Sequence, residues 1–167
     1  MKKILSFVIL IVALSSCSED IRFNNEAVFQ GVKDNIFWKG TEAKAVISGT
    51  TITISSVGFL EEMSLKIPIP DSPINPLNES TFLKYVLGTS TTRTANYTFS
   101  DDLNDYFYRT AINVGDGQIT VSEYDGVYIS GSFRFNAVNS DPDSDAPEIV
   151  NVQSGVFYKV PVVPETL

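Results

Sequence analysis

Asp141, Asp143 and Asp145 alternate in the stretch DPDSDAPE, and carboxylates so spaced can supply the oxygen ligands that calcium prefers. An EF-hand loop would carry glycine at its sixth position and glutamate at its twelfth, where this chain has Ala146 and Val152. The calcium reading is therefore of a different kind of loop, and no other cofactor is expected. The plainer alternative is a solvated acidic turn stiffened by Pro142 and Pro147. Tyr106 and Tyr108, on either side of Phe107, could give a sugar flat apolar faces to stack on. Neighbours in a strand point to opposite faces, so either Phe107 enters the core and the tyrosines flank it, or the reverse. Trp38, the single tryptophan, reads as a core anchor.

Catalytic chemistry finds little to work with. The chain has no histidine, which removes the commonest general base and the commonest transition-metal ligand together. The acid pairs Glu61/Glu62 and Asp101/Asp102 are adjacent, and adjacent strand residues diverge, whereas glycoside hydrolysis needs two carboxyls facing each other across a cleft. A serine nucleophile would need a lysine base, and no Ser-x-x-Lys occurs. The chain reads as a non-enzyme.

The one reactive thiol is Cys17, the only cysteine. Lys2 and Lys3 precede a run over residues 4–14 that is apolar apart from Ser6, and Ser15 and Ser16 lead into the cysteine, which are the parts of a secretory signal. A spanning helix needs about 20 apolar residues, more than this run holds, so residues 1–16 read as a segment to be removed. Leu14-Ser15-Ser16-Cys17 resembles the lipobox of bacterial lipoprotein precursors. The resemblance implies that Cys17 carries a diacylglyceryl group, and two acyl chains suffice for stable anchoring. The expected location is the outer membrane, held by lipid. Ser18, Glu19 and Asp20 are similar to the serine-plus-acids export signal of surface lipoproteins in Bacteroidota, although Ile21-Arg22 follows where stronger examples continue with acids.

Removing residues 1–16 takes away Lys2 and Lys3, so the net charge moves from −8 to −10. That balance argues against nucleic acid as a partner. The remaining residues divide into 17–26, the lipidated cysteine with a polar tether, and 27–167, a single domain of ordinary size.

The elements that must position these side chains read as strands almost throughout. Val, Ile, Thr, Tyr and Phe fill the segments, Gly, Asn, Asp and Pro punctuate them, and no long helical period appears. Short helices are expected at most near residues 79–86, or near 101–106 with Ser100 as cap. A two-residue Gly49-Thr50 loop sets Ala45 opposite Ile54 and Ile47 opposite Ile52, all on one face. In the second hairpin, a three-residue loop Tyr124-Asp125-Gly126 with Gly126 left-handed sets Glu123 against Val127, Val121 against Ile129 and Ile119 against Gly131, keeping faces consistent. Final strands are expected at 133–138 and 149–160. The fold class is all-β, an antiparallel β-sandwich or open barrel of about six to ten strands.

Three stretches, AVFQGVKDNIFW, GQITVSEYDGVYISGSFRFNAVN and SGVFYKVPV, resemble a family of uncharacterised all-β lipoproteins of Bacteroidota. The resemblance rests on Phe29 to Trp38, on Gly131-Ser132-Phe133, and on Gly155-Val156-Phe157 through Pro161. These motifs are structural, so it implies a fold and an envelope location and no catalytic residue. The function expected is a binding or accessory module for a glycan or a protein partner. A structural envelope protein without a small ligand is the alternative, and a hydrolase a weaker one.

Overall fold

The computed structural model describes residues 27–101 and 103–164. The signal segment, Cys17 and the residues Ser18, Glu19 and Asp20 lie outside the described residues, as does Asp102. Eleven strands are formed among the described residues: β1 (Val28–Lys33), β2 (Ile36–Lys39), β3 (Thr41–Ser48), β4 (Thr51–Val57), β5 (Glu61–Pro68), β6 (Leu83–Leu87), β7 (Thr94–Ser100), β8 (Asp105–Arg109), β9 (Asp116–Tyr124), β10 (Tyr128–Asn139) and β11 (Ile149–Pro164). The fold is all-β, with one strand more than the upper expectation. Only a 3-10 turn at Glu79–Thr81, capped by Asn78, represents the helical possibilities. The rest of the 79–86 stretch enters β6. At 101–106 the capping group is Asp101 rather than Ser100, and β8 follows directly. None of the described helices is long and apolar enough to cross a membrane.

The strands form one mixed sheet in the order β2-β1-β11-β3-β4-β5-β7-β8-β10-β9-β6, and β10 also pairs with β11. That last pairing makes seven of them, β11-β3-β4-β5-β7-β8-β10, return on themselves as a closed ring. The β1–β2 hairpin hangs from β11 and the β9–β6 pair from β10. All named pairings are antiparallel except β3 with β11, where Val162 meets Ala45. Closure explains how a sheet of this size avoids a long open edge. Its interior is filled by the alternating apolar residues of each strand, such as Met63, Leu65 and Ile67 of β5.

The first hairpin pairs as expected, Ala45 with Ile54 and Ile47 with Ile52. The second does not. Tyr124 pairs with Ile129 and Glu123 with Ser130, after which the register shifts so that Val121 meets Gly131. The cause is visible at Tyr124. Tyr124 is buried and exchanges backbone hydrogen bonds with Ile74, which draws it inward and lengthens the turn. Ser122 is then left as the extra residue of a β-bulge, which restores the inward alternation of Val121 and Ile119. Gly126 is left-handed as expected, with φ 87°, and Asp125 Oδ1 accepts from Val127 N and Tyr128 N to hold the turn.

Four aromatic residues of the three recognised stretches form one cluster. Phe29, Trp38, Phe133 and Phe157 are all buried. Across β10 and β11, Gly131 lies opposite Phe157 and Phe133 opposite Gly155, so each Gly-x-Phe unit places its glycine beneath the other strand's ring. The two rings stack at 6.4 Å.

Candidate functional site

One end of the ring holds a hollow of about 320 Å³ whose walls come from β1, β5, β7, β8 and the connection into β11. Lys33 closes β1, Glu61 opens β5, Phe99 lies near the end of β7 and Tyr106 near the start of β8. The hollow is therefore at the end where these strands turn. Val28, the first residue of β1, and Pro164, the last of β11, lie at the opposite end.

Strand alternation builds its aromatic wall. Tyr97 and Phe99 share one face of β7, Tyr106 and Tyr108 share one face of β8, and the register sets Tyr97 opposite Tyr108 and Phe99 opposite Tyr106. Phe99 and Tyr106 stack, with centroids 5.9 Å apart and planes 12° from parallel. Tyr97 and Tyr108 are tilted at 5.8 Å. The two tyrosines expected to bind are thus brought into one hollow, with Tyr108 buried and Tyr106 half-buried. Phe107 takes the outward alternative and is 54% exposed.

Polar groups border this wall. Lys33 Nζ is 3.2 Å from Glu61 Oε1 and 4.9 Å from the Tyr97 ring centroid, a salt bridge and a cation–π contact shared by one ammonium. Tyr97 donates its hydroxyl to the same Glu61 Oε1 at 2.5 Å. Burial first, then that carboxylate, pushes the Tyr97 phenol well above its ordinary range. Burial and then Asp34 push Tyr108 upward as well. Asp101 accepts from Leu103 N and Asn104 N through Oδ1 and from the Tyr106 hydroxyl through Oδ2. The two backbone donors, ahead of the hydroxyl, hold its carboxyl below the usual range.

Asp34 reaches the site through a feature that the sequence reading passed over. Asp34 and Asn35 have φ of 49° and 66°, the left-handed pair of a two-residue hairpin loop joining β1 to β2. Asp34 Oδ1 accepts from Asn151 N, and Asp34 N donates to Asn151 O. The signal was available, since Asp-Asn between extended apolar segments is a known hairpin sequence. Lys33, Asp34, Tyr97 and Phe99 are the site residues missed.

Asp141, Asp143 and Asp145 border a neighbouring hollow together with Asp105 and Tyr106. Their hydrogen bonds stay local: Asp143 N donates to Asp141 Oδ1, Asp141 N to Asn139 Oδ1, and Asn139 Nδ2 to Ser144 Oγ. No group of three or more His, Cys, Asp or Glu able to hold a metal ion is found among the described residues. Glu62 diverges from Glu61 and faces a different hollow with Asn96 and Arg109. Trp38 is buried against Phe29 with edge-to-face geometry. Its Nε1 is buried and has no hydrogen-bond partner among the described residues.

Comparison with curated proteins and with solved structures gave no match. A family profile, by contrast, matches residues 25–161, nearly the whole of the described fold. That span includes every wall of the aromatic hollow and both Gly-x-Phe units. The chain belongs to the family described as a domain of unknown function, DUF6252.

Proposed function

We propose that this protein is a lipid-anchored binding module of the cell envelope whose aromatic end pocket takes a saccharide. One observation carries the reading: the stacked Phe99–Tyr106 pair lines a hollow that also holds the Asp101 and Glu61 carboxylates. Sugars offer apolar C–H faces and hydroxyl donors, and this wall offers aromatic faces and charged acceptors. The volume of about 320 Å³ lies at the lower end of ligand sites, suiting one or two sugar rings. Anchoring through Cys17 at the outer membrane rests on the lipobox-like Leu14-Ser15-Ser16-Cys17, and export to the surface on Ser18, Glu19 and Asp20. With the tether entering at β1, the pocket would open at the end of the domain away from the lipid. The role is binding rather than catalysis, in keeping with the absence of histidine and with Glu61 being tied to Lys33 and Tyr97.

A protein partner is the second reading, favoured by apolar residues on the hairpin tips near the same end. Phe59 is 90% exposed and Leu103 89% exposed. The test is a glycan array probed with the labelled full chain in detergent, beside Tyr106→Ala and Phe99→Ala variants. Binding by the parent and a loss of roughly three- to tenfold in each variant is expected, the cost of removing one aromatic contact. Absence of saccharide binding by the folded parent refutes the leading reading.

A further inference from the structure

The charges around the aromatic hollow are unbalanced. Among the described residues Lys33 is the only cation lining it, against the carboxylates of Asp34, Glu61 and Asp101, so three negative groups face one positive group. That ammonium is already engaged by Glu61 and the Tyr97 ring. Tyr106 forms a wall common to the neighbouring hollow, which is lined by Asp105, Asp141, Asp143 and Asp145 and by no cation among the described residues. We infer that the pocket selects by charge, admitting uncharged and amine-bearing saccharides and rejecting those that carry uronate or sulfate groups. This rests on the saccharide reading above and adds the class of ligand.

A hydroxyl or an ammonium entering the hollow donates to carboxylates fixed in place by backbone donors: Asp34 by Asn151 N, and Asp101 by Leu103 N and Asn104 N. A uronate offers only acceptors at its charged group, and among the described residues no uncommitted cation lines the wall to receive it. Charges this close lie within a Debye length of about 8 Å at physiological salt, so screening does not remove the repulsion.

The test uses the full chain in detergent and three β-1,4-linked tetramers of equal length, made of glucose, glucosamine and glucuronic acid, titrated by calorimetry at low and high salt. The glucose tetramer should bind with an affinity nearly independent of salt, and the glucosamine tetramer more tightly at low salt. The glucuronate tetramer should bind at least about tenfold more weakly than glucose at low salt, the gap narrowing as salt screens the repulsion. A double variant, Asp34→Asn with Asp101→Asn, keeps both Oδ1 acceptors and hence both loops, and should bring glucuronate to within about threefold of glucose. Equal or tighter binding of glucuronate by the parent at low salt overturns the selectivity, as does an unchanged ratio in a double variant with parental melting temperature. If none of the three binds, the saccharide reading itself falls, an outcome distinct from saccharide binding without discrimination.

Discussion

Replacing Gly155 with alanine would drive a methyl carbon into the ring of Phe133. A Cβ built at this position lies 2.5, 2.5 and 2.6 Å from three ring carbons, where carbon–carbon contacts settle at about 3.5–4.0 Å. The ring must therefore retreat by about 1 Å. It has little freedom to do so, because its centroid is 5.0 Å from that of Phe29, 6.2 Å from Phe135 and 6.4 Å from Phe157. Gly155 has no positive φ, so the cost is purely one of space. Overpacking of this kind costs about 1–3 kcal/mol. At about 3 °C per kcal/mol for a domain of this size, the melting temperature should fall by about 3–9 °C. Gly131→Ala should cost more, since its methyl meets the Thr120 carbonyl oxygen as well as the Phe157 ring, and a backbone oxygen cannot swing aside. The decisive experiment is a double-mutant cycle with Phe133→Leu, followed by urea denaturation. The smaller side chain makes room, so the double variant should be at least about 1 kcal/mol more stable than the sum of the single changes implies. A Gly155→Ala variant within about 0.5 kcal/mol of the parent, or a strictly additive cycle, would refute the ring-over-glycine account.

Three further outcomes follow from the same geometry, and a fourth set from the sequence around Cys17. Trp38→Phe removes the unpartnered indole N–H and should leave stability within about 1 kcal/mol of the parent, whereas Trp38→Ala should cost about 3–5 kcal/mol in the same denaturation assay. Glu61→Ala leaves the Tyr97 hydroxyl, on a residue only 2% exposed, without its acceptor and should cost about 1–3 kcal/mol, while Glu61→Gln retains an acceptor and should cost less. Tyr97 has a raised folded-state pKa relative to its ordinary 10.0, so the unfolded chain releases this proton first. Stability should then hold below pH 10 and decline above it, and Tyr97→Phe should flatten that decline in melts followed across alkaline pH. Under the lipid anchoring proposed above, Cys17→Ser should move the protein from the detergent to the aqueous phase on partitioning, and Glu19→Ala with Asp20→Ala should leave the partitioning unchanged while protecting the domain from protease added to intact cells. Equal protease sensitivity of that variant and the parent would remove the export role from the two acids.

What the sequence by itself determined was local in origin. The Gly49-Thr50 hairpin is legible because a two-residue loop and strict alternation fix which residues meet, and Ala45 and Ile47 need no distant partner to find Ile54 and Ile52. Alternation likewise placed Tyr106 and Tyr108 on one face of a strand. Local pattern carried the all-β class, because β-branched and aromatic segments broken by turn residues leave no helical period. The tertiary structure decided the rest. The register of the second hairpin depends on Tyr124 bonding Ile74 and on Gly131 lying beneath Phe157 of a third strand, contacts invisible in the hairpin's own sequence. The choice of the outward face for Phe107 belongs to ring closure, which turns the other face of β8 inward. The pocket exists only because β1, β5, β7 and β8 end together, bringing Lys33, Glu61, Tyr97 and Tyr106 from distant parts of the chain. Turn chemistry and strand period act over a few residues and are written in sequence order, whereas a binding hollow is made by long-range strand pairing, which follows from burying all the apolar faces at once.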